Sequence, residues 1–229
     1  MELRKHIGRK LKHFRVLEGT CYHKGYYFLI FGNMKKGTSR IVKLKAGKEK
    51  EVIKVSKTLH IGHGNDCCVR DGVLLVTHSG KSNAIHRIDA KTLEKMPDAI
   101  VTGCSGGFNA ICCFGKGYLV KKMASKKVYV LDDKFRKKGV IRLSKTYKLG
   151  QGMAYHDGKI YRAFSQGQSH ENYVCVYDSK GKLIKKHHYD HVCEIEDVMI
   201  VGGQIKVSIY RKVKKKGKTK SRAYIRKLK

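Results

Sequence analysis

Residues 65–78, NDCCVRDGVLLVTH, hold one polar residue, a short apolar strand, a turn at Asp71-Gly72 and a second apolar strand. Asp-Gly between two such runs is a strong signal for a tight β-hairpin. The same order returns in EGTCYHKGYYFLIF (18–31), QGMAYHDGKIYRAF (151–164) and EDVMIVGGQIKVSIY (196–210). A fifth copy, NAICCFGKGYLVKK (109–122), fits with one extra residue in its turn. The leading residues are Glu18, Asn65, Asn109, Gln151 and Glu196, spaced by 47, 44, 42 and 45 positions. A second repeat runs in step: Ile88-Asp89-Ala90-Lys91, Leu131-Asp132-Asp133-Lys134 and Tyr177-Asp178-Ser179-Lys180, its first aspartates spaced by 43 and 46.

A period of 40–45 residues with about four strands per unit is that of a β-propeller blade. No segment sustains a 3.6-residue apolar period, so the chain reads as all-β with very little helix. The expected architecture is a five-bladed β-propeller forming one domain over 1–229. Its blades fall at about 17–60, 61–103, 104–147, 148–191 and 192–229, the last joined by 1–16. After Glu196 only 33 residues remain and 17 precede Glu18, together one period. The N-terminal stretch is therefore expected to supply the outermost strand of the last blade, beside SRAYIRKL, closing edges that would otherwise stay open.

Hydrophobic residues make up 41% of the chain, enough for a core. The formal net charge is +33, which calls for anionic partners or counterions. Six basic side chains lie in 1–16 and eleven in 211–229, so the last blade is the most basic. The KVKKKGKTK stretch (212–220) reads as an exposed hairpin, and Lys214, Lys215, Lys216 and Lys218 are its candidate contacts to nucleic acid or another polyanion. No apolar run is long enough to span a membrane. Eight cysteines include the adjacent pairs Cys67-Cys68 and Cys112-Cys113 and no CxxC. Neighbours on a strand point to opposite faces, so neither pair can clasp a metal or readily bridge internally. Free thiols and the absence of a signal-like N-terminus fit a monomer in the reducing cytoplasm.

In a propeller the first strand of each blade lines the axis. Glu18, Asn65, Asn109, Gln151 and Glu196 then form one ring at a mouth of the channel, with Gly19, Asp66, Ala110, Gly152 and Asp197 next to it. Three small residues there would leave room for a small ligand oriented by a few polar groups. The far ends of the second strands bring His78, Lys121 or Lys122, Arg162 or Ser165, and Tyr210 to the same mouth as an outer wall, with Lys122 and Arg162 taken as its site residues. No cofactor or metal is implied, although Glu18, Asp66, Glu196 and Asp197 are the oxygen donors that would meet a divalent cation at the mouth. The histidines of His60-x-x-His63 and His187-His188-x-x-His191 lie on loops, where spacing does not build a metal geometry. There is no Walker loop, GxSxG or HExxH, and no tryptophan.

Glu18-Gly19 opening the first blade, Gln151-Gly152-Met153 opening the fourth and Glu194-Ile195-Glu196 opening the last resemble small five-bladed propellers, in particular the plant-and-bacterial type of glutaminyl cyclase. The resemblance implies a first-blade carboxylate that shuttles the proton during cyclisation, which maps onto Glu18. Three functions follow as expectations. The first is a non-catalytic propeller binding a small anionic or sugar-like ligand at the axial mouth, its basic outside serving anionic partners. The second is a cyclotransferase with Glu18 as general acid/base, Asn65 and Asn109 polarising an amide and Glu196 holding an ammonium group. The third is a basic scaffold that binds nucleic acid or protein.

Overall fold

The computed structural model describes residues 3, 7, 11, 13–78, 80, 82–147, 149–215 and 218–228, with backbone alone at 49, 50, 215 and 218. Nineteen strands form five antiparallel sheets. Blade one comprises β1 (Val16–His23), β2 (Tyr26–Asn33), β3 (Thr38–Lys45) and β4 (Lys48–Val55). Blade two comprises β5 (Asp66–Arg70), β6 (Val73–Thr77), β7 (Ala84–Asp89) and β8 (Lys95–Ile100). Blade three comprises β9 (Ala110–Phe114), β10 (Gly117–Lys121), β11 (Lys127–Leu131) and β12 (Lys137–Arg142). Blade four comprises β13 (Gly150–His156), β14 (Lys159–Ser165), β15 (Asn172–Tyr177) and β16 (Leu183–His188). Blade five has three strands, β17 (Glu194–Val201), β18 (Gln204–Lys215) and β19 (Lys218–Lys227). The first strands β1, β5, β9, β13 and β17 touch in succession and β17 returns to β1, so the ring is closed and the axis runs between them.

Both repeats have a structural cause. Asp71-Gly72 and Asp157-Gly158 have positive φ at both residues (49° and 74°, 47° and 70°), the backbone of a tight turn that matches strand twist. The third-blade turn, Gly115-Lys116, is the same two residues long, so the extra residue expected there is not present. In the second repeat, Asp89, Asp132 and Asp178 cap the turn from third to fourth strand. Each Oδ1 accepts two backbone N–H groups downstream, at 2.6–2.8 Å, 2.8–3.0 Å and 2.9 Å respectively. Five apolar clusters fill the five gaps between neighbouring blades, for example Cys21, Ile30, Cys67 and Val76 between the first two.

The two chain ends meet at the closure of the ring. The N–H of Leu3 donates to Ala223 O on β19 at 2.8 Å, so the chain ends do meet on the last blade. Yet no strand precedes Val16 among the described residues, and most of the strand expected within 1–16 lies outside them. Leu3, Ile7 and Leu11 are buried with Phe14, Leu17 and Met199 between blades five and one, and Ile7 is helical. No helix among the described residues is long and apolar enough to cross a membrane.

Deleting residues 1–12 removes three fully or nearly fully buried side chains and one ladder hydrogen bond. The truncated domain should therefore melt at least 10 °C below the parent, since burying one such side chain contributes about 1.5–3 kcal/mol. In a domain of this size each kcal/mol moves the midpoint by about 2–4 °C. Circular dichroism melting decides it, and an unchanged midpoint would rule out closure by this segment.

Candidate functional site

Five inner strands start at one end of the axis, here the upper mouth, and bring the two expected rings together. The register of blades one, four and five shifts between Leu17 and Thr20, Gly150 and Met153, and Ile195 and Asp197. These bulges hold Glu18-Gly19, Gln151-Gly152 and Glu196, and a bulge re-aims side chains where a regular strand would alternate them. Asn65 and Asn109 precede β5 and β9 and are tied by backbone N–H bonds to Thr77 O and Lys121 O at 2.9 and 3.0 Å.

The second ring is filled by its own carboxylates. Asp66 Oδ1 accepts from Cys67 N at 2.6 Å, and its Oδ2 accepts from Ile111 N at 2.9 Å and Met153 N at 3.0 Å. Asp197 Oδ2 accepts from Thr20 N at 2.8 Å and its Oδ1 from Val198 N at 2.7 Å. The two carboxyls also hydrogen-bond each other, which requires one proton between them. Burial first, then the Asp66 charge, raises Asp197 well above the carboxylate range, so Asp197 is the donor. Burial raises Asp66 to about 7 against the bonds it accepts. The small residues expected to leave a pocket instead leave space for this pair. A Cβ at Gly152 would overlap the Asp197 carboxyl, and one at Gly19 would lie 3.0 Å from Asp66 Cα.

Arg162 is fully buried beside the pair; its Nη2 donates to Asn109 Oδ1 at 3.2 Å, and Asn109 Nδ2 donates to Gly150 O at 2.5 Å. Lys122 was expected in the wall, but the register turns it outward to Ser105 Oγ at 2.8 Å and buries Lys121 instead. A one-residue slip inverts which face a side chain takes. Lys121 Nζ donates to Lys122 O at 3.0 Å and to Ser125 O. Burial and the neighbouring guanidinium bring its pKa down to about 6. His78 packs against Gly62 and Gly80 near His63 and His86, held below its usual value by burial and then by those rings. Tyr210 is buried, with its hydroxyl 3.2 Å from Ser221 Oγ.

Above the pair lies an acidic cluster. Glu18 and Glu196 are buried, and Glu194, which was not among the expected site residues, lies next to them. Glu194 accepts from Gln151 Nε2 at 3.3 Å, and Gln168 and Lys212 hold it from outside. Glu194 stands one strand alternation before Glu196, a spacing that could have flagged it. Burial, then the Glu194 charge, pushes Glu18 up to about 8, and the same causes raise Glu196 well above its ordinary value. Among the described residues no Lys, Arg or His forms an ion pair with these three carboxylates. Gln151 and Glu194 are the partly exposed members of the cluster. Among the described residues no cluster of three His, Cys, Asp or Glu is arranged to hold a metal ion. On the outside, Lys214 is exposed on β18 and Lys215 pairs with Lys218 across the expected hairpin. Lys216 and the side chains of Lys215 and Lys218 lie outside the described residues.

No protein-family model matches the chain, and no curated protein matches it in sequence. Solved structures do resemble it. The glutaminyl cyclase of Myxococcus xanthus matches at a TM-score of 0.67 and 11% identity, covering 94% of this chain and 92% of that one. A nidogen/laminin complex matches at 0.58 and 9%, over 86% of this chain and 75% of that one. Hydrazine synthase of Kuenenia stuttgartiensis matches at 0.51 and 13%, over 87% of this chain and 56% of that one. At such identities the likeness establishes the five-bladed propeller, in line with the resemblance carried by Glu18-Gly19 and Glu194-Ile195-Glu196.

Because folding raises the proton affinity of Glu18 from 4.5 to about 8, its contribution is fully present below pH 4.5 and lost as pH climbs through 8. Glu196 acts in the same direction. Glu18→Gln and Glu196→Gln keep the shape without the ionisable proton. At pH 8.5 each should melt above the parent by about 2–4 °C for every kcal/mol of relieved repulsion, and at pH 4.5 the difference should vanish. Parallel melting curves at both pH values would refute the buried cluster.

Proposed function

We propose that the protein is a binding propeller whose upper mouth takes the amino group of a small ligand. Gln151 and Glu194 stand at the entrance and Glu18 and Glu196 behind them. One observation carries the reading: three converging carboxylates, two of them buried, without an ion pair among the described residues. Such a cluster either keeps its protons or takes up a cation, because like charges in a dry site cannot all ionise. A purely anionic ligand would be repelled, so within the expected small-ligand class the amine-bearing members fit best, an amino sugar or the amino end of a peptide. Glu18 can pass its proton to an arriving amine and leave a paired ammonium and carboxylate. The +33 charge is carried outside this axis and suits polyanions on the outer surface, including the β18–β19 hairpin.

A second reading is favoured by Glu18 itself. A group that exchanges its proton near neutrality can take the proton of an attacking α-amine and return it to departing ammonia. In that cyclotransfer an amine-to-carbon bond forms at the substrate's own side-chain amide and the carbon–ammonia bond breaks. The activity named for the Myxococcus xanthus propeller is of this kind. Without tryptophan, the walls holding such a substrate would come from other side chains.

A thermal-shift series of matched amines, carboxylates and neutral sugars tests the binding. Amines should raise the midpoint most. Glu196→Gln should weaken the best amine roughly tenfold to a hundredfold, the loss expected for one charged partner worth about 1.5–3 kcal/mol. Equal shifts from the neutral or anionic members would overturn the reading. Ammonia release from a glutaminyl peptide, abolished in Glu18→Gln, would establish the second reading beyond the first.

A further inference from the structure

Below the Asp66–Asp197 pair the axis opens into a separate cavity of about 230 Å³ at the other ends of the inner strands. Five of the eight cysteines line it: Cys21, Cys67, Cys68, Cys112 and Cys113. As neighbours on a strand, the members of each adjacent pair diverge, and contacts form across blades instead. Cys68 and Cys113 face the cavity from blades two and three, and Cys113 packs against the apolar cluster that holds Cys68. As a thiol, Cys113 also donates to Val69 O at 3.5 Å. Beside it stands Arg70, whose Nη2 donates to Gly115 O at 2.7 Å and whose guanidinium lies 4.8 Å from the Tyr118 ring centre. These two contacts fix the guanidinium against the Cys113 sulfur, and its buried Nη1 finds no oxygen or nitrogen partner among the described residues.

We propose that Cys113 is a peroxide-reactive thiol and Cys68 its resolving partner. A small hydroperoxide entering the lower axis would convert the pair to a disulfide joining blades two and three. The Cys113 thiolate attacks one peroxide oxygen, forming an S–O bond as the O–O bond breaks. The leaving oxygen takes a proton and departs as water, or as an alcohol from an alkyl peroxide. Cys68 then gives up its proton and attacks the sulfenic sulfur, forming the S–S bond and releasing water. Two thiols are oxidised by two electrons and one peroxide is reduced. Selectivity among the thiols follows from surroundings. The neighbouring Cys68 thiol, then the Arg70 charge, lowers Cys113 to about 7 against burial, and Cys113 is partly exposed. Cys67 and Cys112 are buried and raised well above the thiol range; Cys175 and Cys193 are pushed up to about 11 and 12 by burial.

Reduced full-length protein treated with one equivalent of hydrogen peroxide tests this. Thiol titration in denaturant should fall from eight to six, and peptide mapping should place the bond between Cys68 and Cys113. Cys68→Ser should accumulate a dimedone-trapped sulfenic acid at Cys113. Cys113→Ser should keep its remaining thiols at the same dose, while Cys112→Ser reacts like the parent. Arg70→Gln retains every thiol and should react about threefold to tenfold more slowly, which keeps the test open should a cysteine variant fail to fold. Oxidation spread over other cysteines, or Cys113→Ser and Arg70→Gln reacting at the parental rate, would overturn the proposal.

Discussion

One shared proton holds the ring together. Asp66 of blade two accepts amides from blades three and four, Asp197 of blade five accepts one from blade one, and the proton joins the two carboxyls across the axis. Five blades distant in sequence thus meet in a single buried pair. A propeller closes only by contacts between neighbours, and these bonds run across the centre as well. The cost is desolvation of two acids, offset by five amide hydrogen bonds, each worth about 1.5–3 kcal/mol when the acceptor is charged. Gly152 is small because the Asp197 carboxyl occupies the space a side chain would need, and Gly19 because the backbone of Gly64 and Asp66 does.

The same pair organises the charge. A chain of net charge +33 would be expected to repel itself. Along the axis, however, burial raises Asp66, Asp197 and Glu196 so that they hold on to protons, Arg162 stands beside Asp66 and Asp197, and burial brings Lys121 down to about 6. The interior is close to neutral and the excess cation lies outside. That division sets a basic outside apart from an acidic upper mouth, the contrast on which the proposed amine binding rests. The lower cavity, shielded by the aspartate layer, is left to sulfur.

Much of this was legible because blades repeat. The period placed Glu18, Asn65, Asn109, Gln151 and Glu196 on one ring, and Asp-Gly turns marked where second strands begin. What escaped depended on distances that no repeat encodes. The choice between Lys121 and Lys122 stayed open in the sequence because it is decided by register, here the pairing of Lys121 with Ala110. Glu194 pairs regularly with Tyr210 and stands one alternation before Glu196, a spacing that the search for one leading residue per blade did not use. The burial of Leu3, Ile7 and Leu11 between blades five and one was not legible, because it depends on how the chain ends meet around the ring. Cys68 and Cys113 seemed inert since each belongs to a diverging pair, and only the meeting of two blades made them partners.

The account stands or falls on the proton between the aspartates. Carbon-13 titration of the side-chain carboxyls, assigned by comparison with Asp66→Asn and Asp197→Asn, reads it directly. The structure predicts that the Asp197 carboxyl keeps the chemical shift of an acid at pH 7, while Asp66 titrates near neutrality rather than near 3.8. Two carboxyls that both ionise below pH 5 would mean that no proton is shared and that the ring closes by its neighbour contacts alone.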